Sequence, residues 1–412
     1  MRFLYSLGIK LYFSIAWLIK WRNQKTKDFV FGHSNKTALK LAPNTRKRVW
    51  FHISSLGEYE QAKPVIKGLV NDFEIVITFF SPSGYEAKNV REFTEHVFYL
   101  GKDSKKQAQL NIKAIDPDLF VLVKYDFWLN HLTELKRAKV NTIIISGLFK
   151  PEQVFFKWYG GIFRNAIKGM KHLFLQNEES AKLLKSIGIE NTTVNGDTRV
   201  DSVLENVPIA LEMLPKEVKD FAKGHKCLVV GSSYVAEEQI VADNLNDCLK
   251  DWKIIIAPHN IQEKHLSEIR ALFGSSVTFL STAKSKFCET QVLVVDQIGL
   301  LKYLYAVADV AFVGGGFGKT VHNTLEPAAF GIPIIFGPSY NKFIEAVSLL
   351  HNKGAFSFFS QAELLQTLKH LSNHDNYKKS CNASNKYITE NKDASIKVVD
   401  KIRHLLGKKC NC

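Results

Sequence analysis

The sequence predicts an α/β protein: two Rossmann-like, doubly wound domains in tandem, facing across a cleft, with a membrane-associated helix in front. Three observations predict it. From Arg48 onward short apolar runs alternate with amphipathic stretches, this series resets once near residue 206, and the run from Met1 to Ile19 is apolar and followed by a basic cluster. The expected domains are residues 1–27 for the helix, 28–205 for the first α/β domain and 206–412 for the second, which includes the C-terminal helices. A chain of 412 residues exceeds one ordinary core and suits two domains of roughly 150–200 residues each. Apolar residues are 46% of the chain, enough for a core in each half, and 23% charged residues exclude a disordered chain.

The N-terminal run is interrupted by Lys10, so neither half approaches the ~20 apolar residues of a membrane span. No small-x-small cleavage site follows, which argues against a signal peptide. Two readings stand. The helix lies in the membrane interface with its lysines reaching phosphates, or it spans and Lys20, Arg22, Lys25 and Lys27 hold the rest of the chain in the cytoplasm. Both place the body in the cytoplasm against a membrane. A third reading, a buried core helix, conflicts with Trp17, Trp21 and the basic flanks.

The net charge of +15 suits an anionic partner: nucleic acid, an anionic membrane or a phosphorylated substrate. The interleaved aromatic and basic residues of RNA-binding modules are missing, so no nucleic-acid partner is expected. The six cysteines form no framework. Cys227, Cys248, Cys288 and Cys381 are scattered, and Cys410 and Cys412 lack the order needed for prenylation. Reduced thiols in a cytosol-facing protein are expected, and no cluster suggests a metal.

The first series of strands is expected at Val49–Ser54, Ile75–Phe80, Leu119–Val123, Thr142–Ser146 and Leu173–Gln176. The second is expected at Cys227–Gly231, Ile254–Ala257, Val292–Val295, Val310–Gly314 and Ile334–Phe336. A linker is expected from Asn206 to Pro215, and a helical tail from Gln361 to Leu406. Strand, helix, strand in this rhythm gives a parallel sheet covered on both faces, and ligands bind at the carboxyl ends of such strands.

Several motifs sit at those ends. In His52-Ile-Ser-Ser-Leu-Gly-Glu58, Gly57 permits a tight turn and Glu58 opens a helix. A carboxylate there can take a proton from a sugar hydroxyl, or merely complement the helix dipole. Ser81-Pro-Ser-Gly84 reads as a strand-to-helix cap or a hydroxyl-holding turn. Asp126-Phe-Trp128-Leu-Asn130 reads as a sugar contact or as aromatic packing. In the second half, Gly231-Ser-Ser233 precedes Glu237-Glu238 and offers N–H groups to a phosphate. His259, after Pro258, is a nucleotide contact or a plain loop residue. Gly314-Gly-Gly316 lets a ligand approach the backbone. His322-Asn323 then opens a helix whose first turn carries Glu326, on the same face as Asn323. This suits a nucleotide, the phosphate at the helix end and a ribose diol at the carboxylate. A capping box explains only Asn323 and Glu326.

Together these blocks resemble the bacterial 3-deoxy-D-manno-octulosonic acid (Kdo) transferases. The matches are Ser55-x-Gly57-Glu58, Gln176-Asn-Glu-Glu-Ser-Ala-Lys-Leu-Leu, Gly196-Asp-Thr-Arg-Val-Asp201, Gly231-Ser-Ser and His322-Asn-x-Leu-Glu-Pro-Ala-Ala-x-Gly-x-Pro. They fall in the family's order. The resemblance implies a GT-B fold, CMP-Kdo as donor, a lipid A precursor (lipid IVA) as acceptor, a site on the cytoplasmic side of the inner membrane, and no required cofactor or metal. It implies Glu58 as the general base of an inverting transfer. It implies nucleotide contacts at Pro258, His259, Ile298, Gly299, Leu300, Asn323, Thr324, Leu325 and Glu326.

The departures lie mostly around the two substrates. His259 stands where the family has arginine, and Leu300 where many members have glutamate. Lys124-Tyr-Asp126-Phe-Trp128 replaces Glu-Thr-Glu-Leu-Trp, and Thr320-Val321 replace Gly-Gly. The rivals are another GT-B nucleotide-sugar transferase or epimerase, a non-catalytic GT-B scaffold, and a basic membrane-associated nucleic-acid binder.

Overall fold

In the computed structural model, residues 2–34, 41–43, 45–124, 126–283 and 289–407 are described; Cys288, Cys410 and Cys412 lie outside them. The chain forms two compact units, one of residues 1–202 with 391–412, the other of residues 203–390.

The first unit is built on seven parallel strands: β1 (Arg48–Ile53), β2 (Glu74–Phe79), β3 (Val97–Tyr99), β4 (Leu119–Val123), β5 (Asn141–Gly147), β6 (His172–Leu175) and β7 (Thr192–Val194). Their order is β3-β2-β1-β4-β5-β6-β7. Side chains alternate between two buried faces, as period 2 requires. Val49, Phe51 and Ile53 join Tyr59, Ile66 and Leu69 of the helix Leu56–Leu69 on one face. Trp50, Val76, Phe120 and Leu122 pack with Leu132 and Leu135 on the other.

The second unit repeats the plan with β8 (Lys226–Ser233), β9 (Trp252–Pro258), β10 (Val277–Phe279), β11 (Val292–Val294), β12 (Val310–Val313), β13 (Ile334–Phe336) and β14 (Ala355–Ser357). The order is β10-β11-β9-β8-β12-β13-β14, again all parallel. In each sheet the winding reverses once, between β1 and β4 and between β8 and β12. Crevices open at such switch points.

Two expectations are corrected. The stretch from Asn206 to Pro215 is no linker, because Ala210 and Leu214 are buried with Val218 and Phe221 in the core of the second unit. The C-terminal helix Ala394–Leu405 belongs to the first unit, not the second. Its Val398, Val399 and Ile402 complete the core that Ile66 and Leu69 begin. The family-like block Gly196–Asp201 fastens it there. The Asp201 carboxylate accepts from the N–H groups of Asp393 (2.7 Å) and Ser395 (2.6 Å), and Asn195 Nδ2 donates to the Ala394 carbonyl at 2.9 Å.

The N-terminal segment forms two helices, Arg2–Leu18 and Gln24–Ser34. Among the described residues no helix is long and apolar enough to cross a membrane. The first helix is tied to the first unit by polar contacts. Arg2 reaches Asn130 Oδ1 (3.1 Å) and Glu134 Oε1 (3.0 Å), and Tyr5 Oη donates to Asp103 Oδ2 at 2.7 Å. Phe13 and Ala16 are buried with Phe29 and Val30. Phe3, Leu4, Leu7, Leu11 and Leu18 remain exposed.

Ile402→Ala should cost about 2–4 kcal/mol, and amide exchange should quicken across β1, β2 and the helix Leu56–Leu69. Faster exchange confined to residues 203–390 would contradict the assignment of the last helix.

Candidate active site

Glu58 lies beside the first switch point. Ser55 caps the helix Leu56–Leu69, its hydroxyl accepting from Glu58 N at 3.4 Å. The helix starts at Leu56, so the tight turn expected at Gly57 is not formed; a Cβ there would meet only Ser55 Oγ at 3.9 Å. Glu58 is nearly buried, and its Oε2 accepts from Ser54 N at 2.7 Å. Burial raises its carboxyl to about 7; the Ser54 N–H opposes this, the charge of Asp126 adds to it and that of Lys124 opposes it. Burial likewise raises Asp126, to about 6. Glu58 thus bonds a backbone N–H as a first-turn acid does, yet keeps a carboxyl that titrates near neutrality, the condition for a general base.

Asp126 and Lys124 come from the loop after β4, on the other side of the switch point. Lys124 has φ +67°. Its charge also acts on Asp197, where burial opposes ionisation but Arg199 prevails and holds the carboxyl below its ordinary value. Asp126 belongs to the motif read as a sugar contact or packing, but neither its influence on Glu58 nor that of Lys124 was expected, because nothing local in the sequence draws them toward Glu58.

The aromatic part of that loop is internal. Trp128 Nε1 donates to His52 Nε2 at 2.8 Å and the ring packs on Phe80 at 4.5 Å. His52 is fully buried and burial lowers it to about 3. It is therefore neutral, with its proton on Nδ1 and directed at the Thr78 carbonyl, 3.1 Å away. Asn130 is buried against Asp103. Trp128 and Asn130 thus make the packing contacts of this motif, while Asp126 acts on Glu58, and Ser81 caps a single turn through Ser83 N and lies 2.8 Å from the Ser83 hydroxyl.

In the second unit the carboxyl ends of β8, β9, β11 and β12 bring the expected nucleotide residues to one end of the sheet. His259 follows β9, is exposed, and stacks on His322 at 4.7 Å; both rings stack with Tyr234, at 4.8 and 5.6 Å. His322 Nε2 lies 3.1 Å from Tyr234 Oη. Burial, and after it His259, lowers the His322 pKa. Ile298, 88% exposed, and Gly299, at φ +93°, follow β11, with Leu300 half-buried behind them. Asn323 Oδ1 accepts from Leu325 N at 3.0 Å and its Nδ2 donates to Glu326 Oε1 at 3.1 Å. Asn323 and Glu326 are half-exposed, whereas Pro258, Thr324 and Leu325 are buried.

The glycines act differently from expectation. A Cβ at Gly314 would meet the Ser232 carbonyl oxygen at 2.2 Å, one at Gly316 the backbone of Gly337 at 2.5 Å, and one at Gly231 the Tyr305 hydroxyl at 2.2 Å. They let segments of the chain touch one another. Ser233, in the stretch whose N–H groups are expected to hold a phosphate, ends β8, and its hydroxyl donates to Glu238 at 2.8 Å. Among the described residues no three His, Cys, Asp or Glu side chains converge as metal ligands.

Residues 27–202 match the family model of 3-deoxy-D-manno-octulosonic-acid transferase (kdotransferase). The match covers most of the first unit and less than half of the chain. The chain is 27% identical over 350 residues to the Kdo transferase of Chlamydophila psittaci, covering 81% of this chain and 79% of that one. To the Kdo transferase of Aquifex aeolicus it is 26% identical over 336 residues, 80% and 87% of the two chains. The fold is similar to that of a glycosyltransferase from Rickettsia africae (TM-score 0.56, 11% identity, 88% of this chain and 99% of that one). It is also similar to the UDP-GlcNAc 2-epimerase of Neisseria meningitidis (TM-score 0.59, 16% identity, 87% and 100%). The chain thus has two parallel α/β units, the fold it shares with these glycosyltransferase and epimerase structures.

If Glu58 is the base, activity should rise with pH through an apparent pKa near 7. Replacing Asp126 by Asn removes a negative neighbour, favours the ionised form of Glu58, and should move that limb to lower pH. A pH–rate profile of the two proteins checks this; an unmoved limb would dissociate Asp126 from Glu58.

Proposed function

We propose that this protein transfers Kdo from CMP-Kdo to a lipid A precursor, with inversion at the anomeric carbon and Glu58 as general base. The observation that carries the proposal is a buried carboxyl, titrating near neutrality, at the switch point of a domain that matches the kdotransferase model. The acceptor oxygen bonds to the anomeric carbon of Kdo as its proton passes to Glu58. The bond from that carbon to the CMP phosphate breaks, and its electron pair leaves with CMP. The nucleotide is assigned to Pro258, His259, Ile298, Gly299, Leu300 and Asn323 to Glu326, of which His259, Ile298 and Gly299 are exposed and Asn323 and Glu326 half-exposed. CMP-Kdo is a substrate, and the proposal calls for neither cofactor nor metal. A lipid bisphosphate acceptor agrees with the charge of +15.

Transfer from CMP-Kdo generated in situ to a tetraacyl precursor in detergent should be seen with the wild type. It should fall at least ~100-fold in Glu58→Ala while CMP binding persists. A second reading, a nucleotide-sugar epimerase or a different GT-B transferase, is favoured by the likeness to the UDP-GlcNAc 2-epimerase. Wild-type protein that binds UDP, ignores CMP and transfers no Kdo would establish that alternative.

We also propose the cytoplasmic face of an inner membrane as the place of action, with the first helix lying in the lipid interface. Supporting this, its exposed stripe of Phe3, Leu4, Leu7 and Leu11 continues to Trp17, Leu18 and Trp21. Lys20 sits 4.3 Å from the Trp17 ring and 5.0 Å from the Trp21 ring, an arrangement suited to headgroup depth. Leu7→Asp with Leu11→Asp should lower binding to vesicles of anionic phospholipid in a flotation assay without altering the thermal midpoint. Undiminished flotation would refute the interfacial helix.

A further inference from the structure

Glu237 is a buried ionisable group that the transfer step leaves unused. It is 1% exposed and lies in the first turn of the helix Val235–Asn244. Removing a carboxylate from water is costly unless hydrogen bonds replace the lost hydration. Three backbone N–H groups do so. Glu237 Oε1 accepts from Gly315 at 2.8 Å and from Phe317 at 3.4 Å, and Oε2 accepts from Tyr234 at 3.1 Å. Tyr234 follows β8, whereas Gly315 and Phe317 follow β12. One side chain therefore joins the loops on the two sides of the second switch point.

We propose that Glu237 is a positioning residue of the donor site, holding the glycine turn so that His322 and Tyr234 present their rings to the phosphate of the donor. This rests on the reading above that the second unit takes a CMP-sugar. The chain of contacts is short. The turn closes on itself through Gly318 N to the Gly315 carbonyl at 3.1 Å, and His322 N donates to the Gly314 carbonyl at 3.0 Å. A Cβ on Gly315, at φ +85°, would meet the His322 ring at 2.9 Å. His322 is thus packed on the turn that Glu237 grips, while its ring stacks on Tyr234, whose N–H the same carboxylate holds. Next in the chain stands Asn323, and His259 completes the stack.

The arrangement also decides which groups face the anion. Glycine-turn N–H groups at a strand end are ready phosphate ligands, but those of Gly315 and Phe317 are consumed by the protein's own carboxylate. Recognition of the phosphate then passes to imidazole and amide side chains: His259, His322 and Asn323. A displaced turn leaves the nucleophile and the base untouched and misplaces the donor, so the effect falls on donor affinity and not on the chemical step.

The test compares Glu237→Ala, Glu237→Gln and wild type by calorimetric titration with CMP and by donor and acceptor KM and kcat. Glu237→Ala should weaken CMP binding and raise the donor KM by about tenfold or more, with acceptor KM unchanged and kcat changed less than about threefold. Glu237→Gln, which keeps the shape and one acceptor oxygen, should recover part of the loss. Folded variants that bind CMP as the wild type does would overturn the proposal, as would a loss in kcat with donor KM unchanged. Should the alanine variant fail to fold, the isosteric glutamine variant decides on the same readouts. A wild type that does not bind CMP at all would instead refute the donor-site reading.

Discussion

Parallel strands cannot be joined by tight turns. Each must be left at its carboxyl end and the next entered at the opposite end of the sheet, so every connection begins at the same end. Where the winding reverses, two neighbouring strands send their loops apart and leave a crevice. This constraint operates twice here, between β1 and β4 and between β8 and β12. It collects residues far apart in sequence: Glu58 with Asp126 in one unit, Tyr234 with His322 in the other.

Within those crevices the fate of a carboxyl group depends on how much hydrogen bonding offsets its burial. Glu58 receives one short backbone N–H bond, from Ser54, and burial prevails, leaving a group poised to exchange a proton. Glu237 receives three N–H groups from two loops and works as a fastener. Asp201 does similar work by gripping the start of the last helix. Acidic residues at first-turn or loop positions thus divide into chemistry and architecture according to their donors, information that the sequence carries only as identical letters.

That division sets what was legible. The ten central strands were readable because strands buried on both faces leave continuous apolar runs. The four strands that were not read, β3, β7, β10 and β14, are the four sheet edges, each three residues long. An edge strand has one neighbour and needs no long apolar run. Glu58 was identifiable because strand, cap and acid are contiguous. The influence of Lys124 and Asp126 on it was not, since only the sheet topology brings their loop near it. The glycines misled for a related reason: Gly314 and Gly316 accommodate Ser232 and Gly337, and a glycine needed by a neighbouring chain segment looks the same as one needed by a ligand. Gly196–Asp201 reads as a signature block, yet its Asp201 fastens the last helix.

The return of the last helix to the first unit has a consequence for biosynthesis. The surface formed by Ile66 and Leu69 is covered by Val398, Val399 and Ile402, which are translated only after the whole of residues 203–390. At about 5–20 residues per second on the ribosome, that interval is on the order of ten to forty seconds. Throughout it, the apolar face of Ile66 and Leu69 lacks its native cover. The half of the molecule made first is the half finished last.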